Sequence, residues 1–365
     1  MSSGTFHLSP CAPITKFFKD KSVKEVRENT SHINAHLISF KRWLRSMPHL
    51  SCADDDRIFL PFLRQAKYNH SEAQMRLDNF ITLRTSPESP VVNWYDRSTI
   101  TNTILDEYLN MGKKISSYHS SEIIVFGIFK MILINPYLFI FIHYLCPEFE
   151  TYVLLNGPFI REAACGCWNN NRVSTESVLK LLMIQLDRIL EDPRVQICGL
   201  RVFIDFTGVS PSLLDTINPK KTIKDLSKVL QEAYPFRMKG IIYYNEPPIM
   251  EVLFKLLALW LRPKVRERFI RVKGNIKKAY EKVPGLESVL PREYGGHNRS
   301  IKDILKEQNA DFKEYFLKNE ILWRGMAVNE RKRPESSKRL IGEYKEADDR
   351  SMGTTGTFIP LPVND

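Results

Sequence analysis

Between residues 262 and 281 the chain sets Arg262, Lys264, Arg266, Arg268, Arg271, Lys273, Lys277 and Lys278 against only Glu267 and Glu281. Guanidinium and ammonium groups at this density hold anions rather than break bonds. The preceding segment, Ile249–Leu261, is apolar on almost every helical face: Val252, Leu253, Phe254, Leu256, Leu257, Leu259 and Trp260. A surface helix normally shows one apolar stripe, so this one is either a central core helix or touches apolar matter that is not protein. An oily helix abutting a cationic strip suits contact with anionic lipid. A nucleic acid would use the same charge, but the strip lacks interleaved aromatics for base stacking, so no nucleic-acid partner is expected.

The residues that would make an enzyme are missing. No G-x-G-x-x-G or phosphate loop follows a strand-like run, and no G-x-S-x-G elbow occurs. Asp205, at the end of an apolar run, reads as a cap of the following turn, and His297, after Gly295-Gly296, as an exposed loop residue. The eight histidines are not at metal-ligand spacing, and Cys165-Gly166-Cys167 has no second pair to complete a zinc site. No catalytic residue, metal or cofactor is therefore expected. No signal peptide precedes the six cysteines and Ser2 stands where myristoylation needs glycine, so the thiols are expected to be reduced and cytosolic.

The elements that must position the bases follow from rhythm. With 43% hydrophobic residues and a net charge of +11 over 365 residues, the chain can bury a real core and favours anionic partners. Residues 20–85 repeat apolar positions at helical spacing, as in Leu37, Phe40, Trp43 and Leu44, and form a helical lobe. Asp54-Asp55-Asp56 fits one helix start and the Ser71 with Gln74 box another. Residues 86–111 read as a linker, opened by Ser86-Pro87-Glu88-Ser89-Pro90, and a helix.

Farther along, strand-like runs at Tyr152–Leu155, Leu200–Phe206, Gly240–Tyr244 and Arg268–Val272 alternate with helical stretches at Ser174–Leu190 and Thr222–Ala233. The fold class is α/β with a mostly parallel sheet. Gly240–Tyr244 is apolar almost throughout, as a strand covered on both faces should be; Asn245-Glu246 closes it, and Pro247-Pro248 opens the apolar helix. Residues 301–330 read as C-terminal helices and 331–365, without an apolar period, as a disordered tail.

Residues 112–150 fit nothing around them. Ile123 to Cys146 is long enough to span a bilayer, yet Lys130 and Asn135-Pro136 interrupt it. Two readings stand: a translated intron or lineage-specific insertion, favoured by its Ile, Phe, Tyr, Asn and Lys bias, and a membrane anchor.

The chain resembles the CRAL-TRIO lipid-transfer family, in its tocopherol- and retinaldehyde-carrying branch. The matching pieces are Asp55-Asp56, Phe62-Leu63-Arg64 and Lys67-Tyr68; Tyr234-Pro235 with Lys239-Gly240-Ile241; and Asn245-Glu246-Pro247. Arg262-Pro263-Lys264 with Arg266-Glu267-Arg268, and Leu290-Pro291-Arg292-Glu293-Tyr294-Gly295-Gly296, complete the set. They cover about residues 20–85 and 150–300, with block 112–150 falling where members have a short loop. The resemblance implies an N-terminal helical lobe and a lipid pocket in 151–300, floored by the sheet and closed by a mobile helix. That gate is lined by Ile249, Val252, Leu253, Phe254, Leu256, Leu257, Trp260 and Leu261. It also implies that Arg64, Arg237, Lys239, Lys264 and Arg268 contact phosphoinositides such as phosphatidylinositol 4,5-bisphosphate.

The expected function is to bind a tocopherol-, retinoid- or similar isoprenoid or acyl lipid and to exchange it at such membranes. The protein would then be a cytoplasmic monomer, peripheral on membranes. A phosphoinositide-binding adaptor that transfers nothing is the alternative. The intron reading of 112–150 predicts that the abundant spliced message lacks these codons; sequencing a message that keeps them throughout rules it out.

Overall fold

The computed structural model describes residues 14–110, 175–205, 225, 228–245, 248, 251, 254–255, 258, 263–272, 274–318, 322–335 and 337. The 112–150 block, the run at Tyr152–Leu155 and the far end of the expected tail lie outside the described residues. Within the lobe, α1 (Lys16–Val26) and α2 (Ile33–Arg45) are followed by a two-residue strand, β1 (Leu50–Ser51). Asp55 then caps α3 (Asp56–Gln65) by accepting from the Arg57 amide at 2.9 Å, as the run of aspartates predicts.

The next helix, α4 (His70–Thr85), starts ahead of the expected box. Asn69, not Ser71, is its cap and accepts from the Glu72 amide at 3.3 Å. The cause lies upstream: Lys67 and Tyr68 have φ of 52° and 63°, so the chain turns sharply and first regains an extended backbone at Asn69. A 3₁₀ turn at Val92–Tyr95 and α5 (Asn102–Asn110) fill the expected linker.

α6 (Thr175–Leu190) and α7 (Pro193–Cys198) lead into the sheet. Its strands β2 (Leu200–Asp205), β3 (Met238–Tyr244) and β4 (Phe269–Val272) are parallel, with β3 in the centre. A π-helical turn at Val229–Ala233 precedes β3, and α8 (Pro263–Arg266) precedes β4. Both sheet faces are covered, as apolar parallel strands require. Phe203, Ile242 and Val272 pack with Ala279 of α9 (Ile276–Lys282) and with Leu286 and Val289 of α10 (Leu286–Val289). Ile241, Tyr243 and Phe269 join the main core on the other face.

The C-terminal part returns to the lobe. α11 (Ile301–Leu317) docks through Tyr315, whose hydroxyl donates to Glu191 at 2.7 Å, and Asn309, which donates to the Leu109 carbonyl at 2.9 Å. β5 (Ala327–Val328) pairs antiparallel with β1. The tail expected from residue 331 therefore needs correction. Arg331 and Lys332 lie in a 3₁₀ turn, and Arg333 is buried, donating to Asp78 at 2.7 and 2.8 Å and to Thr82 at 2.7 Å. An Arg-Lys-Arg run looks solvated in sequence, but a buried carboxylate 255 residues away claims its last member.

Lobe and sheet meet at Asp187 of α6, which is fully buried. Arg84 of α4 donates to both its oxygens at 2.7 and 2.8 Å, Arg97 to one at 2.8 Å, and the Tyr234 hydroxyl to the other at 2.9 Å. Burial opposes the Arg84 charge, and Asp187 more than restores it. The Arg84 guanidinium also lies 4.7 Å from the Phe80 ring centroid and 4.4 Å from that of Tyr95. Replacing Asp187 by Ala should leave two arginines short of a counter-ion and cost about 3–5 kcal/mol of stability in denaturant titration.

Candidate functional site

The approach to β3 is fixed from the lobe. Arg76 of α4 donates to the Tyr234 and Gln231 carbonyls at 2.9 and 2.7 Å, and Asn79 to that of Glu232 at 3.2 Å. These bonds satisfy the open carbonyls where the π-helical turn ends. Tyr234, already held by Asp187, stacks on Phe236 at 5.3 Å between centroids. The next residue is Arg237, whose carbonyl accepts from the Leu200 amide at 2.8 Å. Gly199 makes this approach possible: its φ is +84°, and a Cβ there would lie 2.3 Å from the Arg237 oxygen.

So placed, Arg237 reaches the ends of two helices. Its guanidinium donates to the Ile197 carbonyl of α7, to the Glu25 carbonyl of α1 at 3.3 Å, and to Glu25 Oε2 at 3.0 Å. Lys239 Nζ donates to the same Oε2, and Lys21 Nζ lies 3.4 Å from Oε1. Arg268, just before β4, donates to the Met238 carbonyl; burial first, and then the repulsion of Arg237, disfavours its charge. Three bases, Lys21 of α1, Arg237 just ahead of β3 and Lys239 in it, thus gather about one carboxylate, with Arg268 near enough to feel Arg237.

Their charges are mutually strained. Burial lowers the affinity of Lys239 for its proton, and Arg237 and Lys21 lower it further, against the Glu25 hydrogen bond. Burial disfavours the Glu25 carboxylate too, but Lys239, Lys21 and Arg237 outweigh it and hold the carboxyl below its ordinary value. A site with more cationic than anionic charge and part-exposed donors can bind an anion.

The five bases expected to act together do not form one group. Arg237, Lys239 and Arg268 converge. Lys264 is exposed on α8, four residues before Arg268. Arg64 is turned inward at 4% exposure, which corrects the expectation of a headgroup contact. Its Nε and Nη2 donate to Glu28 at 2.6 and 3.2 Å, and its Nη1 to Gln196 Oε1 at 2.6 Å. Tyr68 donates to the same Glu28 at 2.6 Å. The matched Arg64 and Lys67-Tyr68 block is therefore, in its Arg64 and Tyr68, a brace between α3, α7 and the turn that follows α1. Glu25 and Lys21 were missed as site residues; their i,i+4 spacing on α1 was the available signal.

The chain is helical at the described positions 251, 254, 255 and 258 of the expected gate. Glu251 and Lys255 are exposed, while Phe254 and Ala258 turn toward the protein. Phe254 meets Phe269 of β4 edge-on at 5.0 Å between centroids, and Arg266 donates to the Ala258 carbonyl at 2.9 Å. The remaining gate residues, Ile249, Val252, Leu253, Leu256, Leu257, Trp260 and Leu261, lie outside the described residues. Among the described residues no helix is long and apolar enough to cross a membrane, and no group of three or more His, Cys, Asp or Glu is arranged to hold a metal.

Residues 159–296 match the family model described as the CRAL/TRIO domain. The human alpha-tocopherol transfer protein-like protein is 23% identical over 253 residues, covering 69% of this chain and 61% of its own length. Its mouse counterpart is 24% identical over 278 residues, 74% of this chain and 68% of that protein. Rat Clavesin-1 is 27% identical over 129 residues, 35% of this chain and 36% of its own. The crystal structure of Sfh5 aligns over 92% of this chain and all of that chain, with a TM-score of 0.37 at 13% identity.

The Glu28 brace has a defined pH window. Burial opposes its charge, and the Arg64 hydrogen bond and charge, with Tyr68 and Ser22, hold its carboxyl below the ordinary 4.5. Its contribution is fully present above pH 4.5, where the unfolded chain is ionised, and fades as pH falls through the lowered folded value. Glu28→Gln should cost about 3 kcal/mol at neutral pH and flatten the acid limb of a melting-temperature profile.

Proposed function

We propose that this chain, a CRAL/TRIO-domain protein, binds a hydrophobic lipid beside its parallel sheet and exchanges it at phosphoinositide-containing membranes. The observation that carries the reading is the junction of charge and apolar surface. Arg237, Lys239 and Arg268 gather at one end of β3 and β4. Phe269, the residue after Arg268, receives Phe254 of the gate helix. A membrane met by the bases is thus met beside the helix that would open. The names of the relatives that carry tocopherol transfer in their description support a small apolar cargo.

Magnitudes divide the labour. A buried CH₂ is worth about 0.8 kcal/mol relative to water, so a tail of roughly 20 carbons gains on the order of 16 kcal/mol. Against a bilayer the gain is close to nil, because the tail already sits in hydrocarbon. The apolar helix therefore serves to cover the cargo in transit, not to extract it. Docking needs its own term: about 1 kcal/mol per base near an anionic surface gives roughly 4 kcal/mol for Arg237, Lys239, Lys264 and Arg268, near a thousandfold in partition. Arg64, already neutralised by Glu28, contributes by holding α7 and the turn after α1 in place.

The reading includes no catalytic step: the protein's work is burial, orientation and release. Replacing Lys264 and Arg268 together by Glu should lower co-sedimentation with phosphoinositide-containing vesicles at low salt by an order of magnitude or more, with no change on neutral vesicles. Undiminished binding of a folded double variant defeats the docking half of the proposal.

A further inference from the structure

Two glutamates three residues apart, Glu25 in the last turn of α1 and Glu28 just past its end, are each seated on arginine, and they differ in enclosure. Glu28 is sealed with Arg64, at side-chain exposures of 4% and 5%. Glu25 and its partner Lys239 keep 25% and 24%. An outside anion can reach the second pair and not the first. Nor does α1 depend on Glu25 for its seat, because Phe18, Ser22 and Val26 bury its inner face. The Glu25 side chain can swing away while the helix stays.

We propose that Glu25 is an internal competitor that occupies the basic cluster as a phosphate would, so that α1 sets which anionic headgroups can dock. The inference rests on the docking reading above and adds a selectivity element to it. One Glu25 oxygen accepts from both Arg237 and Lys239 while the other lies against Lys21, so the carboxylate covers the donors a phosphoryl group would use. A carboxylate tethered at this position has a high effective concentration, against which a dilute, singly charged anion competes poorly. A headgroup with two adjacent phosphates brings more charge and more acceptor oxygens and displaces it. The threshold falls on charge density, which separates bisphosphorylated inositol lipids from monophosphorylated ones and from phosphatidylserine.

The test compares wild type and Glu25→Gln on phosphatidylcholine vesicles doped with phosphatidylinositol 4-phosphate, with the 4,5-bisphosphate, or with phosphatidylserine at matched charge. The variant should bind the monophosphate vesicles about five-fold more tightly, since one opposing charge near an anionic surface is removed, and gain less on the bisphosphate. Asp20→Asn, exposed on the same helix, removes an equal charge away from the cluster and should gain clearly less. Should Glu25→Gln misfold, Glu25→Asp keeps the charge but withdraws it by one methylene, and should shift binding the same way. A folded Glu25 variant that binds no better, that gains equally on phosphatidylserine, or that gains no more than Asp20→Asn overturns the proposal while leaving docking intact if Lys239→Gln still weakens wild-type binding. A wild-type protein that treats bisphosphate and phosphatidylcholine vesicles alike, with Lys239→Gln changing nothing, overturns the docking reading along with it.

Discussion

Asp187 has no exposed surface, and a carboxylate taken wholly out of water persists only where donors replace its solvent shell. Here the donors come from three directions: Arg84 at the end of α4, Arg97 beyond the 3₁₀ turn, and Tyr234 ahead of β3. The carboxylate therefore ties the lobe, α6 and the entry to the central strand to one point. Because Tyr234 stands three residues before Arg237 and five before Lys239, this point also fixes where the basic cluster begins. Disturbing it would reach the surface site through the backbone without touching a base.

From that anchor the structure separates two uses of the same ion-pair chemistry. Arg64 with Glu28, and Arg333 with Asp78, are enclosed pairs whose value lies in geometry: each joins segments far apart in the chain and is costly to break one-sidedly. Lys239 and Arg237 with Glu25 form a part-exposed set in which bases outnumber acids and repel one another. Enclosed pairs hold the shape. The unbalanced set is the one that the proposed docking assigns to an anion from outside. Burial, more than residue type, decides which role an arginine takes.

How much of this the sequence disclosed follows the same division. The strands at Leu200, Gly240 and Arg268 were legible because a parallel strand covered on both faces is apolar along its length, a local property. The Asp55 cap was legible for a similar reason. The α4 cap was misplaced because two left-handed residues, Lys67 and Tyr68, moved the helix start to Asn69, and nothing local marks non-glycine residues for that backbone. The burial of Arg64 and Arg333 is hidden from the sequence because their partners lie 36 and 255 residues away. Glu25 passed unnoticed since its i,i+4 pair with Lys21 looks like an ordinary solvated one; only the fold brings Arg237 and Lys239 to it. The family resemblance pointed to bases at the starts of β3 and β4, and it carried Arg64 into a role that its burial withholds.

The proposed function requires that the apolar helix cover a cargo instead of completing a solid core. Native mass spectrometry of the purified full chain tests this most directly, before and after incubation with phosphoinositide-containing acceptor vesicles. A mass excess that matches a single extractable lipid, and that is lost or exchanged on incubation, is the predicted result. A chain that flies at its bare mass after purification, and still does after exposure to lipid-laden vesicles, contradicts it.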